Sequence, residues 1–195
     1  MKIGISLNEV LRDNLSQMAY TYRKYIDETF DDENFEVLND SDLSKTFQFK
    51  DKDDYNIFLY VDASLEIFGH ADQLYDNLMT KLNSLIVDIE DEEEHELILI
   101  SREINRSVPA SLFFLSKLGS MFKTIKFVSK FEEKWDHVDV MITASPETLV
   151  SKPEGKISVK VNCPYNNDSE ADYTIDSIED FIDSEQLRNK ILGND

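Results

Sequence analysis

With 195 residues the chain is long enough for one domain with a substantial apolar core, or a core carrying one inserted subdomain, and too short for two large independent domains. Its 41% hydrophobic and 11% aromatic residues, with five Gly and four Pro, belong to a folded protein rather than a disordered one. Forty acidic against twenty basic residues leave a formal charge of -20, which repels phosphate backbones and anionic lipid, so direct nucleic-acid or membrane binding is not expected; the acidic surface reads as serving solubility, with docking to a basic protein partner as the alternative.

Residues 2-7 (KIGISL) read as a short apolar strand, followed over 10-30 by Val10, Leu11, Leu15, Met18, Tyr22 and Ile26 at helical spacing. The stretch 31-56 is dominated by Asp, Glu, Asn, Ser and Lys around short aromatic islands at Phe35, Phe47 and Phe49, and reads as a solvated connection. From 57 to 88, Phe58, Leu59, Leu65, Ile67, Phe68, Leu74, Leu78, Leu82 and Leu85 predict helices interrupted near Gly69. Tyr55, Phe58, Tyr60 and the segment 65-71 read as the core of that region, with a recognition surface as the alternative. The run Glu90, Asp91, Glu92, Glu93, Glu94 reads as a solvated turn.

Beyond it the pattern changes. Glu96–Ile100 (ELILI) is a buried-type strand ending at Ser101. A helix over 109-122 follows, with Ser107 as cap and Pro109 in its first turn. TIKFV (124-128), VDVMI (138-142) and ISVKV (157-161) are three further strands, and a last helix spans 178-192, with Ser177 and Asp180 at capping-box spacing and Gly193 past its end. Strands separated by helices or helix-length connections predict an α/β fold with a doubly wound parallel sheet. The interval from 11 to 95 is too long for one crossover and predicts an inserted, mainly helical cap, with residues 1-10 and 96-195 forming the core. Cys163, the only cysteine, excludes an intrachain disulfide and reads as a structural thiol. His70, His95 and His137 show no zinc-ligand spacing. No run approaches the roughly 20 apolar residues of a membrane helix, and the N-terminus, which passes directly into a strand, suggests a cytoplasmic, non-exported protein.

In such sheets ligands bind beyond the carboxyl ends of the strands. The residues there are Ser6, Leu7, Asn8, Glu9 and Val10 after the first strand, Ser101 and Arg102 after the second, and Thr143, Ala144, Ser145 and Pro146 after the fourth, with Lys130 between the third and fourth. This order resembles the haloacid dehalogenase-like (HAD) superfamily, and in particular its nucleotidase-like members with a helical cap after the first motif. The resemblance runs from residue 2 to about 162. It matches the first motif to Ser6–Val10, the second to the strand ending in Ser101, the third to Lys130 with Lys134 as alternative, and the fourth to the strand ending at Thr143 and Ala144.

The resemblance implies a nucleophilic Asp, a second Asp as general acid/base, and Mg²⁺ held by carboxylates of the first and fourth motifs. This chain has Ser6, Asn8, Thr143 and Ala144 there. A serine without a base is a poor nucleophile, and a neutral donor set is a poor Mg²⁺ site. The sequence therefore predicts a catalytically inactive, cofactor-free and metal-free pseudoenzyme that serves as a structural or protein-binding component within an oligomeric assembly. The family context adds a phage virion as one such assembly. Ser101 and Lys130 are the candidates for residual anion binding. The alternatives are a phosphohydrolase using rearranged acids, Glu9 or Asp139, and a sensor of phosphorylated metabolites. Alternation along the strand puts Asp139 away from the crevice, and Glu9 lies one residue out of phase with it.

Overall fold

The computed structural model describes residues 1–31, 43–91 and 95–193. Phe35 of the expected connection and Glu92, Glu93 and Glu94 of the acidic run lie outside them. Six parallel strands, β1 (Lys2–Ile5), β2 (Glu96–Arg102), β3 (Thr124–Val128), β4 (Val140–Thr143), β5 (Ile157–Val161) and β6 (Tyr173–Ile175), form one sheet in the order β3-β2-β1-β4-β5-β6. The order runs outward from β1 in both directions, which is the doubly wound arrangement and puts its switch point between β1 and β4.

Alternation decides which face each side chain takes. Ile3, Ile5, Leu97, Leu99, Val140, Ile142, Val159 and Val161 share one apolar cluster with α3 (Leu78–Asp91), α4 (Ser107–Lys117), α6 (Ile178–Asp183) and α7 (Glu185–Leu192). Ile98, Ile100 and Met141 face the other way and pack with Val128, Trp135 and Val138. Gly4 points into this second cluster. A Cβ there would lie 2.8 Å from Val138 Cγ1 and 2.9 Å from Met141 Sδ. Gly4→Ala should therefore lower stability by roughly 1–3 kcal/mol through overpacking. The check is a lower denaturation midpoint at unchanged slope, and an unmoved midpoint would show that the neighbours yield without cost.

Residues Leu15, Met18, Ala19, Tyr22, Phe47, Phe58, Leu59, Ile67 and Phe68 build a separate apolar cluster, the interior of the helical cap. It comprises α1 (Asn14–Tyr25), α2 (Lys52–Ile57) and two π-helical turns at Phe58–Asp62 and Leu65–Gly69. Phe47 and Phe49, expected in a solvated connection, instead pack edge-on around Tyr22. Their polar neighbours masked this in the sequence. The chain enters and leaves the cap side by side, with Asp13 N donating to Asp72 O and Leu74 N to Leu11 O. Within 11-95, α3 joins the sheet's apolar cluster, where it buries Leu78, Leu82, Leu85 and Ile89.

The first helix begins at Asn14, four residues later than expected, because Asp13 caps it and residues 7–12 form a turn. Ser107 is the first residue of α4 rather than its cap, and its hydroxyl bonds back to Ile104. Ser184, in extended backbone, divides the expected last helix into α6 and α7 and caps the second. Among the described residues no helix is long and apolar enough to cross a membrane.

Candidate functional site

A cavity of about 140 Å³ lies at the carboxyl ends of β1, β2 and β4, roofed by the cap. Its floor comes from Ser6, Ser101, Thr143 and Lys134, its wall from Asn8, Glu9, Ser145 and Tyr165, and its roof from Met18, Tyr55, Leu59, Tyr60 and Phe68. The switch point of the sheet therefore carries the site.

Ser6 and Thr143 follow directly from strand register. Ile5 stands beside Ile142, and Ser6 N donates to Ile142 O, so the next residues of the two strands meet with Ser6 Oγ donating to Thr143 Oγ1 at 3.0 Å. Lys134 reaches them from a 3₁₀ turn at Glu132–Asp136. That turn is anchored by its neighbour Trp135, which is buried on the sheet and donates from Nε1 to Thr148 O at 2.8 Å. Lys134 is 2% exposed and donates from Nζ to Ser6 Oγ at 3.2 Å. Burial pulls its pKa down to about 8, against the raising influence of Glu103 and Glu147.

The lysine of the site is therefore Lys134. Lys130 is exposed and does not line the cavity, so Ser101 and Lys130 do not share it, while Ser101 does line it. Lys130 stays at the surface because its turn is held by Glu133, which accepts from the Ser129 and Lys130 N–H groups. Among the described residues, no three of His, Cys, Asp and Glu gather to hold a metal.

Glu9 reaches the cavity wall despite its phase along the strand. Its φ of 53° turns the chain, with Val10, Leu11 and Arg12 N–H groups all converging on Leu7 O. The carboxylate accepts from Leu15 N at 2.8 Å and from Tyr165 Oη at 2.7 Å. Burial dominates these bonds and pushes its pKa up to about 7. Asp139 lies at the opposite end of β4, where it accepts from Lys2 N and Lys156 Nζ. Cys163 Sγ is pushed up to about 12 by burial and by Glu9, so it is no nucleophile.

Arg12 is not among the residues that the sequence singles out. It is fully buried, and all five of its N–H groups are used. Nε and Nη2 donate to Asn8 Oδ1, Nη2 also to Glu103 Oε1 at 2.9 Å, and Nη1 to Phe68 O and Ser111 Oγ, both at 2.8 Å. The guanidinium lies over the rings of Phe68 and Phe114. It joins the motif turn, the cap and α4 at one point. Ala144 contributes its carbonyl, which accepts from Asn166 Nδ2.

No protein-family model and no curated protein matches the sequence. Solved structures do match its fold. A protein described as a haloacid dehalogenase-like hydrolase from Burkholderia xenovorans superposes with a TM-score of 0.59 at 12% identity, covering 95% of this chain and 96% of its own. The HAD-hydrolase YfnB from Bacillus subtilis, in a magnesium-bound crystal form, gives 0.57 at 13% identity, with 92% and 96% coverage. L-2-haloacid dehalogenase from Xanthobacter autotrophicus, with chloropropionic acid covalently bound, gives 0.53 at 11% identity, with 93% and 96% coverage. The chain has the HAD-like α/β fold over nearly its whole length. The comparison overturns the expectation that it is not an enzyme, because the proteins that share this fold are described as hydrolases and a dehalogenase. The expected pseudoenzyme rested on the residues at four positions, while Lys134 and Glu9, which the sequence offered only as alternatives, line the same cavity.

Proposed function

We propose that the chain is a hydrolase of small phosphorylated molecules that works without a divalent metal, using Glu9 in place of the acid/base aspartate that the resemblance implies and Lys134 as the lysine of the site. One observation carries this reading: Ser6, Thr143, Ser101, Lys134 and a Glu9 poised near neutrality line the same small cavity at the strand ends. A volume of about 140 Å³ suits a phosphoryl group and a few attached atoms, with the alcohol part toward the aromatic roof.

The donor set does not fit Mg²⁺. Asn8 Oδ1 is committed to Arg12, the hydroxyls of Ser6 and Thr143 bond each other, and the Ala144 carbonyl is taken by Asn166. The two wall carboxylates are engaged as well, Glu9 by Tyr165 and Leu15, and Glu147 by the Ser145 hydroxyl. A hard dication needs several anionic oxygens, and none here is disposed to supply them.

In this reading the Thr143 hydroxyl and the Arg102 guanidinium meet the phosphoryl oxygens, Ser101 Oγ donating instead to Glu103 Oε1, and protonated Glu9 gives its proton to the leaving oxygen. Hydroxyl and guanidinium donors suit an anion that gathers charge as the bond breaks. An acid with a pKa near the working pH is the effective kind, contributing about 10²–10⁴-fold. The test is phosphate release from a panel of phosphomonoesters, with EDTA and with added Mg²⁺. The expected result is EDTA-resistant turnover with a bell-shaped pH profile, its limbs at about 7 and about 8, and a loss of about 10²–10⁴-fold in Glu9→Gln. Turnover that EDTA abolishes, or no release from any ester, would overturn the reading.

A further inference from the structure

We infer that Ser6 is a nucleophile and Lys134 its general base, a serine–lysine dyad at the end of the first strand of a HAD-like sheet. The inference deepens the hydrolase reading above and rests on it for the identity of the substrate. Three features of the geometry carry it. Lys134 Nζ lies 3.2 Å from Ser6 Oγ, within the reach at which a base takes a hydroxyl proton. Ser6 Oγ donates to Thr143 Oγ1 at 3.0 Å while Lys134 is charged and donates to Ser6 Oγ, and once Lys134 is neutral the single hydroxyl proton turns from Thr143, itself fixed by Ser145 N at 3.1 Å, to the amine. Nucleophile and base thus lie within the hydrogen-bond reach that covalent catalysis needs.

The third feature is the lysine's surroundings. A buried ammonium is costly unless paired, and among the described residues the hydrogen-bond partner of Nζ is a neutral hydroxyl. The groups around it are Glu103, already bonded to Arg12, Glu147, Arg102, and the Phe131 ring at 5.6 Å. Lys134 therefore titrates near 8, so a usable fraction is a neutral amine at mildly alkaline pH. A lysine kept only to neutralise a phosphate would gain nothing from such depression.

The steps balance. Neutral Lys134 takes the Ser6 hydroxyl proton as the Oγ–P bond forms and the P–O bond to the alcohol breaks, and the leaving oxygen takes a proton from Glu9. Water then attacks phosphorus and gives its proton to the Glu9 carboxylate, while the Oγ–P bond breaks and Ser6 recovers its proton from the Lys134 ammonium. One ester and one water become one alcohol and one phosphate.

The test uses the whole chain and a fluorophosphonate, a phosphorus electrophile whose fluoride leaves without help from Glu9. Peptide mass spectrometry should locate the adduct on Ser6, with a labelling rate that rises with pH through about 8. Ser6→Ala should lose the adduct. Lys134→Met, which removes a buried charge and so leaves the fold intact, should label about 10²–10⁴-fold more slowly. Lys134→Arg should be as slow as Lys134→Met, since a guanidinium stays protonated and cannot act as base. No adduct on Ser6, a pH-independent rate, or full labelling in Lys134→Arg would overturn the dyad. Phosphomonoester turnover without a Ser6 adduct would sink the dyad and leave the hydrolase reading standing. A Lys134-dependent adduct without turnover of any ester would do the reverse.

Discussion

Arg12→Met should destabilise the protein by about 3–5 kcal/mol, because it leaves Glu103 charged, buried and without its partner. The buried pair lies entirely out of water, and among the described residues Glu103 Oε2 already lacks a hydrogen-bond partner. Loss of the guanidinium would also orphan the Phe68 carbonyl and the Ser111 hydroxyl in the same interior and free the half-buried Asn8 side chain. The pair itself need not be net stabilising, since desolvating two ions offsets much of their attraction. Arg12→Met combined with Glu103→Leu should therefore recover a large part of the loss. Equilibrium denaturation of the two variants decides the matter. A single-variant cost under about 1 kcal/mol would mean that water or a relaxed cap rescues Glu103.

How far the sequence could be read follows from the range over which each signal acts. Five strands and their parallel arrangement were legible because β periodicity, apolar runs and the capping residues Ser177 and Asp180 act over a few neighbouring residues. The sixth strand, Tyr173–Ile175, was not, because three residues carry no period. Ser6 and Thr143 were found as strand-end residues, without the contacts that they make. Their significance lies in contacts 128 and 137 residues apart in sequence, which no local pattern encodes. The choice of Lys130 over Lys134 has the same origin. Both are lysines in one polar turn, and what separates them is Trp135, whose burial on the sheet turns the adjacent side chain inward. Glu9 was assigned to the wrong phase because alternation presumes extended backbone, and its φ of 53° is not extended.

The stability of the protein should pass through a trough between about pH 7 and pH 8, set by Glu9 and Lys134 together. In the fold the Glu9 carboxyl is held at about 7, against its ordinary value of 4.5, by burial that outweighs the Tyr165 and Leu15 bonds and the charge of Arg12, with Asp13 adding to the rise. Between those two values the folded state binds more protons than the unfolded, so stability falls as pH climbs, by up to about 3 kcal/mol over the window. Lys134 works in the opposite sense. Its folded value of about 8 lies below the ordinary 10.5, so the unfolded chain binds more protons between the two, and stability rises with pH there by a similar amount. Near neutrality both groups are substantially charged inside the protein, and the fold bears both costs at once. Unfolding free energies measured from mildly acidic to alkaline pH should therefore dip near neutrality. Glu9→Gln should flatten the acid side of the dip and Lys134→Met the alkaline side, each relative to wild type at the same pH, which cancels the titration of every other group. A wild-type maximum between pH 7 and 8, with both variants running parallel to it, would mean that neither group is desolvated as its burial requires.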